Sequence, residues 1–119
     1  MNQYILNVIN RLRAGEHVVH SEGGNSMAPV IGHREPVLLA PITDENALEN
    51  NHIVFCKVNS FFTHKIKSIQ TMKGKRRYQI SNLKGHVNGV ISIDKIYGKV
   101  VAIGRDKIDA YLTKIGQKK

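Results

Sequence analysis

The sequence is short of cysteine, of acidic residues and of long apolar runs. Its single cysteine, Cys56, has no partner for an internal disulfide, which is typical of a protein kept in a reducing compartment. No apolar run approaches the roughly 18 residues that a membrane-spanning helix needs. Polar side chains interrupt the first residues, which excludes a secretory signal. We therefore expect a cytoplasmic protein without a membrane anchor.

The shortage of acidic residues leaves a strong positive charge. Eighteen lysines and arginines face nine aspartates and glutamates, which gives a net charge of +9. Such an excess favours contact with nucleic acid, an anionic membrane or an acidic protein. The densest groups are residues 73–77 and 114–119, and a solvated hairpin tip and a frayed chain end explain them equally well. Nucleic-acid binding is therefore an alternative rather than the main interpretation.

A chain of 119 residues is long enough for one domain with a hydrophobic core. Apolar residues spaced along residues 3–12 predict a short helix that ends at Ala14-Gly15. Short β-branched segments then alternate with turns, which predicts strands over residues 17–20, 37–40, 52–58, 61–69, 77–80 and 96–103. Residues 85–89 are interpreted as a loop, and residues 107–115 as a short helix.

This pattern predicts a mainly β fold in which coiled antiparallel sheets form a barrel-like core. The expected single domain, 1–119, has an N-terminal helix and lead-in (1–22), a β core (23–103) and a basic tail (104–119). The apolar neighbours of Cys56 indicate a buried, structural thiol. His17 and His20 would point to opposite sides of a strand, and no cysteine or carboxylate cluster accompanies them. We therefore predict no metal site and no cofactor.

The stretch from Gly24 to Pro29 places a serine in a short turn. Gly24 permits a positive φ and Pro29 prevents the turn from continuing as a strand, so the hydroxyl of Ser26 can face solvent. Backbone N–H groups of such a turn can face a developing oxyanion, which is usually the largest catalytic contribution. A serine becomes a nucleophile only when a base accepts its proton, and without one Ser26 is an ordinary loop residue.

Two neighbouring residues, His64 and Lys65, are candidate bases. Both lie in the predicted strand 61–69, where consecutive side chains point to opposite faces, so only one of them can reach Ser26. A histidine accepts a proton near neutral pH with little adjustment. A lysine must first be strongly desolvated. Chemistry therefore favours His64 and leaves Lys65 as the second candidate.

These segments, in this order, resemble the LexA-like and signal-peptidase superfamily. Residues 24–29 are similar to its G-x-S-M-x-P nucleophile box, residues 52–55 to its G-D-I-V-V strand, and residues 63–66 to its base box. Further similar segments are 36–39, 80–82 (the later G-D-N turn) and 96–100 (I-x-G-x-V). The likeness covers about residues 23–103.

The resemblance implies a serine peptidase in which Ser26 attacks a peptide carbonyl. Anchoring the base box on Ile66 gives His64 the position of the catalytic lysine, as in the Ser/His signal peptidases, and a shift of one residue gives it to Lys65. The N–H groups of Ser26 and Gly24 are then implied as oxyanion donors. The substrate-binding residues implied by the same box are Met27 and Pro29.

The sequence departs from this family at three places. His33-Arg34-Glu35 replaces a Gly-Asp pair, Ser81 replaces an expected aspartate, and Asn88 lies near the acid that orients the histidine in the Ser/His members. A histidine without an orienting carboxylate is a weaker base. The alternative is therefore a catalytically inactive module on the same fold, which binds nucleic acid or an acidic protein through its basic surface.

The residues before Ser26 are too few for a LexA-type DNA-binding domain. In this respect the chain resembles stand-alone proteins of phages, which implies the host cytoplasm as its location. The expected partner is a peptide or protein substrate. The sequence leaves open which substrate this is and whether the chain forms a homodimer.

Overall fold

The computed structural model describes residues 2–116, so the end of the predicted basic tail, residues 117–119, lies outside the described residues. Two α-helices and seven strands follow one another along the chain. They are α1 (Gln3–Arg13), β1 (Val18–His20), β2 (Val37–Pro41), β3 (Ile53–Lys57), β4 (Phe61–Met72), β5 (Lys75–Ser81), β6 (Val87–Ile91), β7 (Ile96–Ile103) and α2 (Arg105–Lys114). Two short 3₁₀ turns, Glu45–Ala47 and Ile93–Lys95, precede β3 and β7.

The seven strands form one antiparallel sheet in the order β1-β2-β7-β3-β4-β5-β6. The predicted β-rich class is therefore confirmed. The terminal strands β1 and β6 do not pair with each other within the described residues, so the sheet is open rather than closed as a barrel. β1 is only three residues long, and the chain after it runs as turns and irregular segments through residues 21–36.

The predicted N-terminal helix is confirmed as α1. The side chain of Asn2 accepts a hydrogen bond from the N–H of Ile5, which satisfies one of the free donors at the helix start. The helix ends at Ala14, and Gly15 follows with a φ of 89°. Its apolar face packs against one side of the sheet, in a core formed by Val8, Ile9, Leu12, Val18, Val37, Leu39 and Phe55.

β3 lies inside the sheet and is buried on both faces. Phe55 belongs to the core under α1, whereas Val54 and Cys56 belong to a second core on the other face, with Ile66, Tyr78 and Ile80. This double burial explains the continuous apolar run of β3. Burial raises the pKa of the Cys56 thiol to about 12, so the predicted structural thiol is confirmed as buried and is protonated at neutral pH.

The loop prediction over residues 85–89 is wrong for its second half. Val87, Asn88 and Gly89 belong to β6, where Gly89 pairs with Ile80. Glycines usually indicate loops, but Gly89 is needed here for close approach. A Cβ at this position would lie 2.7 Å from Cγ1 of Val58. Only glycine, which has no Cβ, therefore lets β6 lie this close to Val58.

The β4–β5 hairpin is longer than the sequence predicts. Its ladder continues to the pair Met72 and Lys75 and turns through Lys73 and Gly74, whose φ values are 52° and 78°. Two positive φ values are typical of the two-residue turns that match strand twist. The predicted strand 96–103 is confirmed as β7, and the predicted tail helix as α2. No helix within residues 2–116 combines the length and apolar character needed to span a bilayer.

We predict that Gly89→Ala lowers the free energy of unfolding by about 1–3 kcal/mol, because the added methyl group overlaps Val58. Urea denaturation measures this loss. The double variant Gly89→Ala/Val58→Ala is the control, since removal of the Val58 methyl groups relieves the overlap. Its loss should be smaller than the sum of the two single losses, and strict additivity would contradict the steric explanation.

Candidate active site

The predicted nucleophile lies on a compact turn between β1 and β2. The N–H of Ala28 donates to the carbonyl of Asn25 (3.1 Å), and the N–H of Ile31 donates to the carbonyl of Met27 (2.9 Å). Met27 is buried and anchors the turn, whereas Ser26 is exposed beside it. The turn therefore presents the hydroxyl of Ser26 outwards.

The turn is held against the end of β5. The N–H of Leu83 donates to the carbonyl of Ser26 at 3.1 Å, and the N–H of Arg34 closes the loop by donating to the carbonyl of Glu22 at 2.8 Å. The backbone of Ser26 is thereby fixed relative to the sheet. The side chain of Ser26 then needs no rearrangement to reach β4.

The structure brings Ser26 and His64 together. The Oγ of Ser26 lies 3.0 Å from Nε2 of His64, which is hydrogen-bonding distance. His64 is 7% exposed, and its ring stacks on Phe62 with centroids 4.0 Å apart. Packing of this kind holds the imidazole in one orientation, as a general base requires.

Asn88 contacts the other nitrogen of the imidazole. The Oδ1 of Asn88 lies 2.8 Å from Nδ1 of His64, and an amide oxygen can only accept, so Nδ1 carries the proton. Nε2 is then free to accept the proton of Ser26. Ser26, His64 and Asn88 therefore form one continuous chain of hydrogen bonds with the polarity of a catalytic triad.

Lys65 is the candidate base that the structure does not bring to the serine. It follows His64 in the extended strand β4, where it lies opposite Ile53 on one side and Ser81 on the other. Successive side chains of a strand project to opposite faces. Because His64 contacts Ser26, Lys65 lies on the other face of the sheet.

Glu22 links the nucleophile loop to the strand of the base. Its Oε1 accepts from the N–H of Thr63 at 3.0 Å, and its Oε2 accepts from the hydroxyl of Thr63 at 2.8 Å. Thr63 precedes His64 in β4, and Glu22 lies four residues before Ser26. The candidate nucleophile and the candidate base are thus within four residues of this double contact, which sets the spacing between their elements.

The buried side chain of His20 contacts the carboxylate of Glu22. The Nε2 of His20 lies 2.7 Å from Oε2 of Glu22, and the hydroxyl of Tyr4 lies 2.8 Å from Nδ1 of His20. Burial by itself raises the pKa of a carboxyl group, but the hydrogen bonds from His20 and Thr63 outweigh it. The pKa of Glu22 therefore lies below its ordinary value, and the residue is a carboxylate at neutral pH.

Of the two implied oxyanion donors, Gly24 is already engaged. Its N–H donates to Nδ1 of His33 at 2.8 Å. The N–H groups of Ser26 and Met27 donate to no acceptor within residues 2–116. Backbone N–H groups without an acceptor can stabilise a developing oxyanion, so Met27 replaces Gly24 as the second candidate donor beside Ser26.

A small pocket of about 30 Å³ adjoins the serine. The buried side chain of Met27 forms part of its wall, together with Glu22, Thr63 and Ile31. The second implied substrate-binding residue, Pro29, is exposed and does not line this pocket. The pocket holds about one water molecule, and only a small side chain fits there without rearrangement.

The sequence reasoning missed Glu22 altogether and found Asn88 only through the family resemblance. A lone glutamate before two glycines carries no motif, and its role depends on contacts across the fold. Within residues 2–116, no three histidine, cysteine, aspartate or glutamate side chains come together as a metal site. The ring of His17 packs against Tyr111, away from the buried contacts of His20.

We predict that Glu22→Gln lowers the free energy of unfolding at pH 7 by about 1–3 kcal/mol, because the amide NH₂ faces groups that need an acceptor. Denaturant titrations at several pH values measure this. The folded pKa lies below the unfolded one, so the carboxylate stabilises the fold above about pH 4.3. Its contribution disappears as the pH falls through the folded pKa.

Glu16→Gln is the matched control, since Glu16 pairs with Arg11 and is exposed. An exposed ion pair contributes about 0–1 kcal/mol, so this variant should stay close to the wild-type stability. Equal losses for the two variants, or a loss for Glu22→Gln that does not shrink in acid, would contradict the linking role of Glu22.

No protein-family model, no curated protein and no solved structure matches this chain. The geometry of Ser26, His64 and Asn88 is therefore the observation on which a function can be argued.

Proposed function

We propose that this protein is a serine peptidase of the LexA and signal-peptidase type, with Ser26 as nucleophile and His64 as general base. The observation that supports the proposal is the continuous hydrogen-bond chain from Ser26 Oγ through His64 to Asn88 Oδ1, with distances of 3.0 and 2.8 Å. An ordinary loop serine needs no oriented and buried imidazole beside it. The alternative hypothesis, a catalytically inactive binding module, does not explain why these three side chains are hydrogen-bonded in this order.

The proposed reaction begins when Nε2 of His64 takes the proton of the Ser26 hydroxyl. The oxygen of Ser26 attacks the peptide carbonyl, and the N–H groups of Ser26 and Met27 stabilise the resulting oxyanion. The imidazolium then donates its proton to the leaving amine, which departs and leaves an acyl-enzyme. Water, deprotonated by His64, attacks the ester and releases the acid product.

Asn88 orients His64 in this scheme without adding charge. A carboxylate in this place would both stabilise the imidazolium and fix the tautomer of His64. The amide of Asn88 fixes the tautomer but does not stabilise the positive charge. We therefore expect a slow enzyme, in which the positions of the groups contribute more than the strength of the base.

Peptide substrates follow from the family resemblance and fit the position of β6. This strand ends the sheet and carries Asn88, so its outer edge offers backbone N–H and C=O groups beside the catalytic residues. An extended peptide can bind such an edge as an added strand. The small pocket at Ser26 then favours a small side chain next to the bond that is cut.

We predict that a fluorophosphonate probe labels the protein at Ser26 and that Ser26→Ala abolishes the labelling. His64→Ala should slow labelling by about 10²–10⁴-fold, which is the usual contribution of a general base. Gel fluorescence measures the rates, and mass spectrometry identifies the labelled residue.

Lys65→Ala is the matched control, because it removes the neighbouring side chain on the opposite face of β4. Its labelling rate should equal that of the wild-type protein. Labelling that survives Ser26→Ala, or that is lost in Lys65→Ala while His64→Ala retains it, would overturn the assignment.

We predict that Asn88→Ala slows labelling by about tenfold, since one net hydrogen bond of about 1.4 kcal/mol corresponds to a factor of ten. Asn88→Asp keeps an acceptor for Nδ1–H and adds a charge that stabilises the imidazolium, so it should label at least as fast as the wild-type protein. A loss in Asn88→Asp as large as that in Asn88→Ala would argue against the orienting role.

A further inference from the structure

The middle of the chain carries charge of one sign. No acidic residue lies between Glu49 and Asp94, whereas this segment holds eight basic residues, namely Lys57, Lys65, Lys67, Lys73, Lys75, Arg76, Arg77 and Lys84. None of these eight forms an ion pair with a carboxylate of the described residues. The charge excess of the protein is thus concentrated on one part of the sheet, β3 to β6.

The end of the β4–β5 hairpin is a two-stranded ribbon. β3 pairs with β4 only as far as Lys65, and β6 pairs with β5 only as far as Tyr78. Within residues 2–116, no further strand lies beside the remaining ladder, from Gln70 to Arg77. Both edges of the ribbon are therefore free.

One face of this ribbon packs on the protein and the other does not. The guanidinium of Arg76 donates to the carbonyl oxygens of Glu45 and Leu48 at 2.7 and 2.8 Å, and Tyr78 is buried beside it. Residues paired across two strands share a face. The pairs on the opposite, outer face are Ser68–Gln79, Gln70–Arg77 and Met72–Lys75.

Two lysines add to the charge of this outer face. Lys67 is exposed and is the extra residue at a bulge opposite Gln79. Lys73 is exposed at the turn. Cations thus line the ribbon on both strands, and side-chain amides of Gln70 and Gln79 lie between them.

We propose that the outer face of the β4–β5 ribbon binds duplex DNA. The major groove, about 12 Å wide, admits a two-stranded ribbon, and lysines on both strands can contact the phosphates that flank it. The amide of Gln70 can bond base edges, and so can the NH₂ of Gln79, whose Oε1 accepts a hydrogen bond from Ser68 at 3.2 Å. An anionic membrane fits this face less well, since Met72 is its one apolar side chain.

The test uses fluorescence anisotropy of a labelled 20-base-pair duplex, titrated with the full chain at several salt concentrations. The variant Lys67→Gln/Lys75→Gln removes two exposed cations from the two strands of the ribbon. It avoids Arg77, which lies close enough to Asp94 to interact with it electrostatically. The affinity should fall, and the slope of log affinity against log salt should become shallower by about 2, one for each phosphate contact.

The matched control is Lys107→Gln/Lys114→Gln, which removes the same charge from exposed positions of α2. This control should keep the wild-type slope, and so should Ser26→Ala, because the ribbon does not depend on the proposed catalysis. Circular dichroism verifies that each variant is folded. Equal losses in the ribbon and α2 variants, absence of duplex binding at low salt, or preferential binding to phosphatidylserine vesicles or to an acidic polypeptide would overturn the proposal.

Discussion

The contact between the Glu22 carboxylate and Thr63 is the constraint on which the site depends. Ser26 lies on a turn and His64 lies on a strand far along the sequence, so neither element positions the other through the chain. Two hydrogen bonds to Thr63 hold the strand, and the turn follows Glu22 within four residues. The buried ring of His20 keeps the carboxylate in place and ionised. A charge-assisted contact of this kind is short and directional, which suits the distance of 3.0 Å between Ser26 Oγ and His64 Nε2.

The open sheet makes this arrangement accessible. Because β1 is short and the chain leaves the sheet after it, the loop of residues 21–36 is free to cross to the ends of β4 and β5. β6 carries Asn88 into the same region, and the missing Cβ of Gly89 lets this strand lie close to Val58. The proposed catalytic site and the basic ribbon then lie at different parts of the β4–β5 hairpin, one near the start of β4 and one near its turn.

Several features were predictable because they are local. The spacing of Ile5, Val8, Ile9 and Leu12 sets one face of a helix, and the apolar run of β3 indicates a strand buried on both sides. The choice between His64 and Lys65 was also local in part, since a strand separates neighbouring side chains to opposite faces. By contrast, the strand character of Asn88 was hidden by Gly85 and Gly89 in the same segment. The engagement of Gly24 by His33 depends on a contact across nine residues.

The residues themselves determined a positively charged, β-rich chain with one exposed turn that carries a serine and one strand that carries a histidine, because composition and periodicity act within a few residues. Only the tertiary structure decided that this serine meets this histidine, that Asn88 rather than an acid lies behind the ring, and that Glu22 joins the two elements. Hydrogen bonds between distant segments depend on ångström-scale positions, which arise when the whole sheet packs and which no short stretch of sequence encodes.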